Sequence, residues 1–175
     1  MRPFAASAFA VLLTTLSASA QSAAGLRWTA PARWRAEPAQ AMRAATYSAS
    51  PVPGETARAE CAIYFFGKDQ GGSVQANLDR WKGQFTLASG APPPARVATR
   101  RSQTLTITTL DTSGNYSGLG GPTGSAGSAP AYRLLGAIVE GPGGNIFIKF
   151  TGPERTIGAN QLQFEQLLAS FQPEK

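Results

Sequence analysis

Apolar positions recur along this chain with two periods. Over residues 57–66, Ala59, Cys61, Ile63 and Phe65 alternate with Ala62, Tyr64 and Phe66. A period of two predicts a strand, and because both faces turn apolar towards its end, the strand belongs inside a sheet. Val74, Leu78, Trp81 and Phe85 then recur at helical spacing, with Gln75, Asn77, Asp79, Arg80 and Lys82 on the other faces. That pattern predicts an amphipathic helix laid on the sheet. Further strands are predicted at 26–29, around Trp34, and at 42–47, 96–101, 104–112, 132–140 and 145–151. A last helix is expected from near Thr156, carrying Ile157, Phe164, Leu168 and Phe171, with Pro173 closing it. Strands in runs, with one helix in the middle and one at the end, predict the α+β class: an antiparallel sheet of about six or seven strands covered by helices.

The polar punctuation sharpens this outline. Residues 48–56 contain Pro51, Pro53 and Gly54, and 89–95 contain Pro92, Pro93 and Pro94, so both read as loops. Gly141-Pro142-Gly143-Gly144 between two strands predicts a hairpin. Residues 113–130, rich in Gly and Ser, are expected to form a long flexible crossover. Gly67 and Gly72 are spaced as in a phosphate-binding loop, but Ser73 stands where the lysine belongs and Val74 where the hydroxyl belongs. The loop is therefore expected to start a helix, with Ser73 accepting from the backbone N–H of Gln75 or Ala76. The cluster 118–124 fails as a dinucleotide fingerprint, because Pro122 interrupts the helix that should follow.

The N-terminal end changes the expected compartment. Arg2, an apolar run over 4–16, and small residues at Ala18 and Ala20 have the form of a secretory signal peptide cleaved after Ala20. The run is short of the about 20 apolar residues a membrane span needs. Residues 1–20 are thus expected to be a leader and 21–175 one α+β domain, secreted or periplasmic, without an integral membrane segment in the mature part. Cys61 is the single cysteine, so no intramolecular disulfide forms, and its place in an apolar strand suits a buried thiol. The net charge of +6 falls to +5 without Arg2. The positive residues are dispersed, which argues against nucleic acid as a partner.

Chemistry is narrowed by what the chain lacks. It contains no histidine, which removes Ser-His and Cys-His nucleophilic pairs and the commonest zinc sets. Its ten acidic residues never fall in a calcium-loop pattern. No catalytic residue, metal ligand or cofactor is expected. What remains is binding. Tyr116 and Leu119, in the Gly/Ser-rich segment, are the first candidates for exposed partner contacts. A pocket between sheet and helix, formed by Tyr64, Tyr132, Asp111 and Lys149, is the alternative, serving a small-molecule binder or an enzyme.

The stretches LRWTAPARW, MRAATY, AIYFFG followed by RWKGQF, YRLLGAIVEGPGGNIFIKFTGP and FEQLLASF cover most of 21–175. Together they resemble a group of uncharacterised secreted bacterial proteins. That group is in turn similar to the PsbP-like superfamily, which includes extrinsic photosystem II subunits, Ran-binding Mog proteins and DcrB-type envelope proteins. The resemblance implies an antiparallel sheet sandwiched by helices and a non-catalytic binding or accessory role toward a protein partner in the cell envelope. It rests on structural aromatics such as Trp28, Trp34, Trp81 and Phe171, and carries no binding residue onto this chain.

Overall fold

A computed structural model describes residues 20–118 and 129–174. In chain order the strands are β1 (Ala20–Ala23), β2 (Leu26–Thr29), β3 (Arg35–Ala36), β4 (Ala45–Ala49), β5 (Ala59–Tyr64), β6 (Phe85–Thr86), β7 (Ala95–Ser102), β8 (Leu105–Tyr116), β9 (Ala129–Gly141), β10 (Gly144–Pro153) and β11 (Gln172–Pro173). The helices are α1 (Val74–Lys82), α2 (Glu154–Ala159) and α3 (Gln161–Ala169). An eight-stranded antiparallel sheet runs β3-β4-β5-β10-β9-β8-β6, with β7 also paired to β8. A small sheet, β1-β2-β11, stands apart from it.

The strand period splits the sheet residues between two cores. Cys61, Ile63, Leu135, Ala137, Val139, Ile146, Ile148 and Phe150 face α2, α3 and the small sheet, where they meet Ile157, Leu167, Leu168 and Phe171. Leu110, Leu134, Ile138 and Phe147 face the other way and meet Leu78 and Trp81 of α1. Three short helices over eight strands are a modest covering. β5 lies between β4 and β10, so it is an interior strand as its two apolar faces require. The 141–144 hairpin forms with Gly141 opposite Gly144 and Pro142-Gly143 at the turn.

The C-terminal helix of the sequence pattern is two helices. Asn160 sits between them at φ −108°, ψ 11°, its amide donating to the Thr156 carbonyl at 2.9 Å and its oxygen accepting from Trp34 Nε1 at 3.0 Å. Such side-chain bonds compete with the helical backbone, so the chain bends where Trp34 is tied in. Pro173 does more than end a helix: β11 pairs with β2, and Phe171 stacks on Trp28 at 5.2 Å. The crossover expected over 113–130 is also shorter than its composition suggests. β8 continues to Tyr116 across an irregularity at Gly114, and β9 begins at Ala129.

The glycine loop before α1 does start a helix. Gly71 and Gly72 have φ of +87° and +82°, and a Cβ on Gly71 would come within 2.6 Å of the Phe147 ring. Only glycine meets both demands at that point. Ser73 then accepts from the Ala76 N–H at 3.2 Å as the N-cap. Asn77, fully buried, locks the loop by donating to the carbonyls of Gly71 at 2.8 Å and Ser73 at 2.9 Å. Replacing Asn77 by Ala is expected to cost about 1–3 kcal/mol, because the Gly71 and Ser73 carbonyls both lose the side-chain donor and a buried side chain is truncated. Ser73→Ala, at an exposed cap, should cost about 1 kcal/mol or less. Urea unfolding of both variants checks the order; an equal or larger loss for Ser73→Ala would remove Asn77 from its anchoring role.

Candidate functional site

On the α1 side, β10 carries Lys149 between Phe147 and Thr151. Its cross-strand neighbours are Ala62 on β5 and Gly136 on β9. Both are small, so the lysine stem lies in a niche of the sheet floor, and Trp81 of α1 fills the space above Gly136, where a Cβ would meet its ring at 2.8 Å. The niche opens into a cleft of about 150 Å³ between the end of α1 and the sheet. Half of its lining is aromatic: Tyr64, Phe66, Trp81 and Phe147. The other half is polar: Asn77, Arg80, Gln84 and Lys149.

The polar half consists of donors without an anion. Lys149 Nζ donates to Gln84 Oε1 at 2.7 Å and lies 5.8 Å from the centre of the Tyr116 ring. Arg80 donates to the Asn77 side-chain oxygen. Among the described residues neither cation makes an ion pair, whereas Arg43, across Tyr64, is paired with Glu60 at 3.0 Å. Burial pulls the Lys149 ammonium down to a pKa of about 8; Arg80 and Arg43 push the same way, and Glu60 opposes them. Burial also raises Tyr64 and Tyr116 above the usual tyrosine range, so both are neutral phenols at neutral pH. A larger open depression of about 490 Å³ lies by β3 and β4, but both its acids are already engaged: Glu37 accepts from Ser48 at 2.5 Å and pairs with Arg35 at 3.2 Å, and Glu60 is the partner of Arg43.

The fold distributes the sequence candidates unevenly. Tyr64 and Lys149 line the cleft. Tyr132 stands one ring further off, stacked on Tyr116 at 5.9 Å with an interplanar angle of 3°. Asp111 is on the opposite face of the sheet, where it accepts from Arg133 Nε and Nη2, both at 2.8 Å, and Arg133 also reaches Gln161 of α3. It is therefore removed from the pocket: its position on β8 puts it on the α2–α3 side. Tyr116 is not an exposed contact either. It is 5% exposed, with its ring 4.9 Å from Phe85 and against Tyr132, because the strand continues through it. Leu119 lies outside the described residues, as do residues 1–19 of the expected leader. The residues that sequence reasoning missed are Arg80, Gln84 and Phe66; the only signal for Arg80 and Gln84 was their place on or just after an amphipathic helix.

No family model matches the chain, and no curated protein sequence matches it. Among solved structures, it is similar to CyanoP, the cyanobacterial PsbP of Synechocystis sp. PCC 6803, with a TM-score of 0.54 and 13% identity, covering 95% of this chain and 98% of that one. The fold is PsbP-like. PA94, a protein of unknown function from Pseudomonas aeruginosa, is similar too, with a TM-score of 0.50 and 12% identity over 90% of this chain and 97% of its own. At such identities the PsbP-like likeness concerns the backbone and transfers no site residue. The cleft beside α1 stands on this chain's own side chains. Among the described residues no helix is long and apolar enough to cross a membrane, and no cluster of three or more His, Cys, Asp or Glu could hold a metal.

Proposed function

We propose that this protein is a secreted or periplasmic, non-catalytic binding or accessory protein whose recognition site is the α1-side cleft, and that the group recognised there is a carboxylate. The observation that carries this reading is the presence of Arg80 and Lys149 in one cleft without a carboxylate partner among the described residues. A half-buried ammonium beside a guanidinium is held against both desolvation and repulsion, and a bound anion relieves both. The accessory role follows if occupancy of the cleft alters contacts with a protein partner in the cell envelope. Cleavage after Ala20 is compatible with the small sheet, since Gln21, Ser22 and Ala23 keep their pairings with Trp28, Arg27 and Leu26.

The test is an amide NMR titration of residues 21–175 with sodium acetate against sodium chloride at constant ionic strength. Acetate-specific, saturable shifts are expected around Arg80–Gln84 and Phe147–Lys149 and should disappear in Arg80→Gln. Asp111→Asn, on the other face, should leave them unchanged. Shifts that are absent, or indifferent to Arg80→Gln, would sink the reading.

A further inference from the structure

We infer that the cleft is built for a small planar carboxylic acid, aromatic or conjugated, with its carboxylate against Arg80, Lys149 and Gln84 and its ring against Phe66 and Tyr64. This narrows the carboxylate reading and rests on it.

Hydrogen-bond polarity supplies the first argument. Gln84 commits its carbonyl oxygen to Lys149, so its remaining capacity is the amide donor. Guanidinium, ammonium and amide N–H together form a set of donors, and a carboxylate is a flat, two-oxygen acceptor that suits it. A neutral ligand would leave the desolvated Lys149 ammonium without a counter-charge.

The aromatic lining supplies the second. Phe66 is 36% exposed, whereas the other aromatic side chains among the described residues are largely covered. It stacks on Tyr64 at 5.8 Å and 15°, and tilts at 49° to Phe147 at 5.7 Å. These aromatic rings line the same cleft as the donors. An inorganic anion satisfies the donors and leaves the rings wet; a hydrocarbon covers the rings and leaves the cations alone. A ligand that answers both halves of the lining carries a charged head and a flat apolar body, and flatness matters because rings add offset stacking to the area they bury.

Size supplies the third. About 150 Å³ is well below the ~300–1,000 Å³ typical of sites for drug-sized ligands. That leaves room for one ring with its acid group and too little for a nucleotide or a peptide segment.

The experiment compares benzoate, cyclohexanecarboxylate, acetate and benzamide by amide NMR titration of residues 21–175 at constant ionic strength. Benzoate is expected to shift cleft amides saturably and to bind roughly three- to tenfold tighter than cyclohexanecarboxylate, with acetate weaker and uncharged benzamide weakest. Phe66→Leu, at an exposed position, should erase the preference for benzoate over cyclohexanecarboxylate; a preference that survives it would overturn the inference. Equal or tighter binding of cyclohexanecarboxylate, or benzoate shifts away from the cleft, would overturn the inference and leave the carboxylate reading standing. If none of the acids binds, both fall.

Discussion

Replacing Trp81 by alanine is expected to destabilise the protein by about 3–5 kcal/mol and to abolish carboxylate binding in the cleft. The indole is 3% exposed and belongs to the core formed with Leu78, Phe85, Leu110, Leu134, Ile138 and Phe147. It also covers Gly136, and that contact makes a sharper test than the single variant. A Cβ on Gly136 would lie 2.8 Å from Trp81 Cε3 and 3.6 Å from the Leu110 Cβ. Gly136→Ala should therefore cost about 1–3 kcal/mol in the wild-type background through overpacking. With Trp81 already truncated, the added methyl enters vacated space and should cost little. The two changes are then non-additive by about 1 kcal/mol or more, readable from urea unfolding of the four proteins of the cycle. Additive losses would mean that Trp81 does not rest on Gly136, and the niche for Lys149 would lose its roof.

The second large effect has the opposite sign. Lys149→Met should stabilise the protein near pH 7 by on the order of 1–3 kcal/mol, because it removes a charge held in a desolvated niche without a carboxylate partner. Its pH dependence separates this cause from better packing. In the folded chain Lys149 titrates at about 8, against an ordinary value of 10.5. Between those values the unfolded chain binds the extra proton, so wild-type stability should rise as pH rises through this window, and the cost of the charge is fully present below about pH 8. Near the upper end Tyr47, Tyr64, Tyr116 and Tyr132, all raised mainly by burial, work in the other direction. They keep protons that the unfolded chain releases, so stability falls again. The difference between wild type and Lys149→Met isolates the lysine. It should be largest below pH 8 and shrink towards pH 10; a difference that does not change with pH would assign the effect to packing alone. Loss of carboxylate binding in the same variant would tie the unfavourable charge to the site that uses it.

The parts of the site that were legible in the sequence are those made by neighbours along the chain. Ser73 followed by Val74, Leu78 and Trp81 marks a capped helix with one apolar face, and the helix is there with that face buried. Phe85 keeps the buried side expected of it, although it belongs to β6, since Gly83 ends α1 first. Tyr116 was misread because Gly114 and Ser117 around it resemble loop chemistry. Its burial follows from pairing with Phe85 across β6 and β8, and from the Tyr132 ring, which arrives from β9. Asp111 shows the limit of a period of two: alternation tells which residues of a strand share a face, but the face that receives α1 is set by how the whole strand docks. Asp111 lies opposite Leu135, on the α2–α3 side, and Lys149 lies opposite Gly136, on the α1 side.

By itself, then, the sequence determined the class of fold, the interior place of β5, the hairpin at 141–144, the cap of α1 and the buried state of Cys61, all of which rest on local periodicity and backbone chemistry. Tertiary structure alone decided the cleft. Arg80 and Gln84 come to Lys149 across 65 residues or more of chain because β10 pairs with β5 and β9 in one register, with Ala62 and Gly136 beside the lysine. A one-residue slip of that register would turn Lys149 to the other face, and this dependence on long-range pairing is why no local pattern announces the site.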